Sequence, residues 1–166
     1  MNTEEIVTQE VSKDKPFFDD DEEGYNFNKD NSYNMNQINE PVIYYEWFAD
    51  SATSSHVMNK RDTFITYEPL YNTSVVGVGQ IKAKVEGKGT VELLTRYNNK
   101  TYILRLQNVL YIPTNRNNLF SLGKWDAAGG KYVGAGRKIT LENKQSKTVA
   151  TGSKIANNLY KLKFGT

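Results

Sequence analysis

Val42-Ile43-Tyr44-Tyr45-Glu46-Trp47-Phe48-Ala49-Asp50-Ser51-Ala52 decides how this chain is read. Val42 to Ala49 is a run of β-branched and aromatic residues of strand length. Asp50 follows it directly, and the next residues, Thr53-Ser54-Ser55, are small and hydroxylated, able to bond their own backbone and hold a compact turn. The stretch therefore predicts a strand that delivers one carboxylate into a tight loop. On its own the triplet is weak, since Asp followed by Ser or Thr and then Ala or Gly arises by chance in roughly one chain of this length in ten.

Outward from that loop the pattern is β. Val75-Val76-Gly77-Val78-Gly79 and Ile81-Lys82-Ala83-Lys84-Val85 predict two strands about a glycine-rich bend, the second alternating apolar with charged residues. Gly87-Lys88-Gly89 predicts a turn, followed by a strand over Thr90 to Arg96, a turn at Asn98-Asn99, and strands over Thr101 to Leu106 and Val109 to Ile112, ended by Pro113. One helix is expected over Leu119 to Ala128, stopped by Gly129-Gly130. Further strands are expected around Lys138 to Leu141, Thr148 to Thr151 and Leu159 to Leu162. Many short strands with one short helix predict an all-β fold, a compact barrel or sandwich.

Charge divides the chain. Residues 1–40 hold eleven acids against three lysines, a net charge of −8, whereas the remainder holds eight acids and eighteen bases, a net +10. The first segment is rich in Asn, poor in aliphatic residues and without periodicity, so it cannot bury enough surface to offset its ordering entropy. Residues 1–40 are expected to be a disordered acidic linker, ordered only by docking on its basic neighbour, and residues 41–166 to be the folded domain. The absence of cysteine excludes disulfides and thiolate metal sites and fits a reducing compartment. No apolar run approaches the roughly 18 residues that a membrane-spanning helix needs. A soluble, intracellular protein is expected, without cofactor or metal; the single histidine, His56, lacks the companions a metal would require.

An apolar strand, then Asp, then small residues is how an aspartic protease presents its acid. Trp47 through Leu162 resembles the protease region of copia-type LTR-retrotransposon polyproteins. The catalytic motif stands here as Asp50-Ser51-Ala52-Thr53-Ser54-Ser55-His56, followed by Phe64, Val76 to Gly79 and Gly87-Lys88-Gly89. Leu106-Gln107-Asn108-Val109-Leu110-Tyr111-Ile112-Pro113, Asn118-Leu119-Phe120-Ser121-Leu122 and Leu159-Tyr160-Lys161-Leu162 complete the family's blocks in order.

The resemblance implies a small closed β-barrel like that of retroviral aspartic proteases, active as a homodimer in the cytoplasm inside virus-like particles, with polyprotein peptides as substrate. The residues agree on one point: this chemistry needs two carboxylates sharing a proton across a water, and the chain has one Asp-Ser loop, so a second copy must supply the other Asp50. Ser51, Ala52 and Thr53 are expected to support the catalytic loop, and Leu119-Phe120-Ser121 to sit beneath it. Val76, Gly77, Val78, Gly79, Gln80 and Ile81 fall where such proteases carry their flap, the lid over the peptide. Ala52 departs from the glycine most relatives have, and its methyl could reduce activity. Two other functions stay open: an RNA-contacting module using a stripe of Lys82, Lys84 and Lys88 on one hairpin, or a catalytically silent dimerisation module.

Overall fold

A computed structural model of the chain describes residues 7–11 and 42–166. Thirteen strands and one short α-helix are found among them. In chain order they are β1 (Val7–Val11), β2 (Tyr44–Asp50), β3 (Val57–Met58), β4 (Phe64–Pro69), β5 (Ser74–Val76), β6 (Lys82–Lys84), β7 (Gly87–Tyr97), β8 (Lys100–Tyr111), β9 (Asn118–Ser121), α1 (Leu122–Ala127), β10 (Lys131–Ala135), β11 (Lys138–Glu142), β12 (Thr148–Lys154) and β13 (Tyr160–Gly165).

The main sheet runs β10-β11-β12-β13-β2-β9-β3-β8-β7-β4, with β1 added to β8 and a separate two-stranded sheet formed by β5 and β6. A single bridge between Gly165 of β13 and Leu94 of β7 brings the path back on itself, so the six strands from β13 through β7 enclose the core like a barrel. The all-β architecture with one helix is as the sequence predicts.

Period-2 alternation explains which faces are buried. Val91, Leu93 and Thr95 of β7, and Tyr102, Leu104 and Leu106 of β8, point inward, while Glu92 and Arg105 pair on the outer face at 2.7 Å. The centre is aromatic: Phe164 packs edge-on against Trp47 (6.0 Å between centroids) and tilted against Phe120 (5.8 Å), which in turn meets Trp125 (5.6 Å). Each such ring, removed from water, stabilises the fold by roughly 1.5–3 kcal/mol. A smaller apolar cluster around Val57, Val85 and Ile112 lies apart from this core.

Several elements differ from expectation. Asn118–Ser121 is a strand and the helix is confined to Leu122–Ala127, because Ser121 takes the N-cap position and its Oγ accepts the Lys124 N–H at 3.1 Å. Gly87-Lys88-Gly89 is the start of β7, not a turn. It pairs with Pro69, Glu68 and Tyr67 of β4, and Gly89 is required because a Cβ there would run into the Thr66 carbonyl. The two strands expected over Thr101–Leu106 and Val109–Ile112 are one, β8, whose extra residue at Asn108 (φ 56°) makes a bulge opposite β7. β1, β3, β4 and β10 add strands that were not expected. β1 lies inside the segment read as a linker and pairs with Thr101–Arg105 of β8; the acidic run Asp19–Glu23 lies outside the described residues.

Candidate functional site

Asp50 is the last residue of β2 and pairs in parallel with Ser121 of β9. A parallel partner cannot be reached by a tight turn, so β9, some seventy residues later in the chain, fixes the end of β2 from outside the loop. The Asp50 Oδ1 accepts the Ala52 N–H at 2.8 Å, which curls the backbone under the carboxylate. Thr53 Oγ1 donates to the Ser55 carbonyl at 2.9 Å and tightens the rest of the loop. Ala52 is not among the residues at positive φ, so its methyl carries no left-handed strain.

The loop is bonded to the interior at three points. Ser121 Oγ donates to the Thr53 carbonyl at 2.8 Å while also capping α1, the Ser121 N–H donates to His56 Nδ1 at 2.9 Å, and the Leu110 N–H donates to the His56 carbonyl at 2.9 Å. His56 is fully buried, its ring tilted against Phe120 at 5.0 Å between centroids. Because Nδ1 accepts, Nε2 carries the hydrogen, and it has no partner. Burial, with the nearby Lys124 cation adding to it, holds the His56 pKa down to about 3, so the ring is neutral and acts as an acceptor.

Beside the loop lies a cavity of about 670 Å³, within the range of ligand-binding clefts. One wall is Asp50, Ala52 and Thr53 to Ser55. The facing wall is the β5–β6 hairpin, which contributes Val75, Val76, Gly77, Ile81 and Ala83, and the floor is Val57, Leu110, Ile112 and Leu119. Asp50 supplies the only ionisable side chain of the lining. The hairpin turns through a 3-10 turn at Val78–Gln80, where Gly79 (φ 76°) and Gln80 (φ 64°) adopt the left-handed conformation, and it is closed by Gly77 N–H bonding to the Ile81 carbonyl at 2.8 Å.

Thus Asp50, Ala52, Thr53, Val76, Gly77 and Ile81 are brought around one cavity. Ser51 is exposed and outside the lining, and Val78, Gly79 and Gln80 form the turn beyond it. Of the supporting triplet, Leu119 lines the floor, Phe120 is core and Ser121 holds the loop. The floor residues Leu110 and Ile112 were missed as site residues, although their alternation in Leu110-Tyr111-Ile112 is the pattern that puts both on one face. The expected lysine stripe is not on one hairpin: Lys82 and Lys84 are on β6, Lys84 lying 3.9 Å from Glu86, whereas Lys88 is on β7 in the other sheet. Among the described residues there is no group of side chains able to hold a metal ion and no helix long and apolar enough to cross a membrane.

Fold and site together define an all-β domain that presents one carboxylate to an apolar cavity under a hairpin. The chain belongs to the family described as the Pol polyprotein β-barrel domain, whose model matches residues 47–130, from within β2 to the glycines that follow α1. That makes it a region of a retroelement Pol polyprotein. No curated protein and no solved structure matches the chain.

Proposed function

We propose that this domain is an aspartic endopeptidase of the copia type that processes its own polyprotein as a homodimer, each subunit contributing Asp50. The observation that carries the reading is the placement of Asp50 at the end of β2, on a loop fastened to the interior, facing a glycine-bearing hairpin across an apolar cavity. One Asp50, ionised, takes a proton from the water between the two carboxylates as the water oxygen attacks the scissile carbonyl carbon. The partner's Asp50, protonated, donates to the carbonyl oxygen. Collapse of the tetrahedral intermediate breaks the C–N bond, and a proton passes to the leaving amine. The peptide lies extended beneath the hairpin, whose exposed Val76 and Ile81 become covered on closure.

Asp50→Asn tests this. Cleavage of a peptide library should fall by about three orders of magnitude or more, the scale of removing a group essential to general acid–base chemistry. The melting temperature should stay within a degree or two, because Asn still accepts the Ala52 N–H. If parent and Asp50→Asn proteins are equally inert in a confirmed dimer, while Ala52→Gly gains activity, the domain is a silenced protease. If all three are inert, it is a dimerisation module.

A further inference from the structure

The strand β10 is an edge. It pairs with β11 on one side only, and among the described residues no strand pairs with its other side. All five of its residues, Lys131-Tyr132-Val133-Gly134-Ala135, are exposed, including the large apolar side chains of Tyr132 and Val133. An open row of backbone N–H and C=O groups is a template for another strand, and proteins usually blunt it. The other edges here are blunted. β4 carries a bulge between Phe64 and Thr66 and ends in Pro69; β5 and β6 are three residues each, with Lys82 and Lys84 on β6; β1 has Glu10 within it. β10 has no proline, no bulge and a single charge, at its first position.

We propose that a second copy of this chain pairs with the open edge of β10, strand against antiparallel strand, about a two-fold axis through Val133. The sequence is self-complementary in that register. Val133 meets Val133 of the partner subunit, each Tyr132 lies opposite a Gly134 over which Tyr160 of the same subunit packs, so that ring meets ring on that face, and each Lys131 lies opposite an Ala135, so no like charges face each other. The backbone is also poised. The β10–β11 turn has two residues, Gly136 (φ 61°) and Arg137 (φ 66°), which makes Ala135 and Lys138 a hydrogen-bonded pair. Alternation from there turns the N–H and C=O of Tyr132 and Gly134 to the open side, where each finds its complement on the antiparallel copy. This deepens the homodimer of the preceding reading by naming its surface, and needs none of its chemistry.

The chain contains no cysteine, so single introduced thiols report the contact without background. The experiment uses the full chain carrying Asp50→Asn, which removes catalysis from the readout. Val133→Cys should form a disulfide-linked dimer of the 18.9 kDa chain under mild oxidation, because facing residues in such a pair lie about 4.5 Å apart between Cα atoms, within disulfide reach. Lys131→Cys and Ala135→Cys should each cross-link about tenfold less when alone, and should form the mixed disulfide, identified by mass, when combined. Equal yields at all three positions, no mixed product, or no cross-link of Val133→Cys would each overturn the proposal; the last is also the result if the chain's own acidic segment covers β10. A failure here leaves the effect of Asp50→Asn on cleavage untouched, so the two readings fail separately.

Discussion

Three hydrogen bonds tie the Asp50–His56 loop to distant partners on β8 and β9, while the hairpin of β5 and β6, across the same cavity, makes its bonds within itself and to its near neighbours Tyr71 and Glu86. The loop stands on the aromatic core through His56 and Phe120. The hairpin rests Val75 and Ala83 on the small satellite cluster and leaves Val76 60% and Ile81 71% exposed. A group that must hold an angle to a reacting atom gains from redundant bonding. A lid gains from low local stability, since opening it then disturbs nothing beneath. In the proposed protease both needs would be met by giving one wall long-range partners and the other only local ones.

The sharpest way to break this contrast is through pH. His56 has a folded-state pKa of about 3 against an unfolded value near 6.5, so below pH 6.5 the unfolded chain binds a proton that the native one refuses. The contribution is fully present above pH 6.5 and is lost as pH falls from there towards 3, at up to about 1.4 kcal/mol per unit. Denaturant unfolding between pH 6.5 and 5, above the range where carboxylates dominate, should show this slope in the parent, and His56→Gln should flatten it. An unchanged slope in the variant would mean that His56 is not the buried neutral acceptor described here.

Next in size is Ser121→Ala, which leaves the Thr53 carbonyl and the α1 N-terminus without their partner. It should cost about 2–3 kcal/mol by chemical denaturation. Smaller is Gly79→Val, which places a β-branched residue at φ 76° and should cost roughly 1–2 kcal/mol, confined to the hairpin tip. Peptide cleavage should fall while the melting transition moves less than for Ser121→Ala, and Gly79→Asn, which tolerates the left-handed region, should restore it. A Gly79→Val protein that melts as early as Ser121→Ala would show that the hairpin is as integral as the loop. Smallest is Ala52→Gly, which should cost about 0.5–1 kcal/mol of chain entropy while preserving or raising cleavage.

Local chemistry was legible in the sequence and long-range pairing was not. The β2 strand ending at Asp50 could be read from an apolar run and a turn-forming tail, and the hairpin bend from Gly77 and Gly79. Asn118-Leu119-Phe120-Ser121 carries no local sign of a strand; its apolar residues fit the helix that follows equally well, and only pairing with β2 settles its state. Gly87 and Gly89 looked like punctuation because glycine has two uses, and the close approach of β4 that demands the second is invisible until the sheet exists. β10 went unpredicted because a strand whose residues are all exposed lacks the inward-outward alternation that marks one.

The wedging of β9 between β2 and β3 also orders events in time. The strands on either side of the Asp50 loop never pair with each other, so the loop cannot close as a local hairpin. It waits for a segment about seventy residues further along, and forming that contact carries the loop-closure entropy of everything between. On a chain emerging from the ribosome, Asp50 should therefore reach its place at the cavity only after Ser121 has been made, when most of the barrel already exists around it.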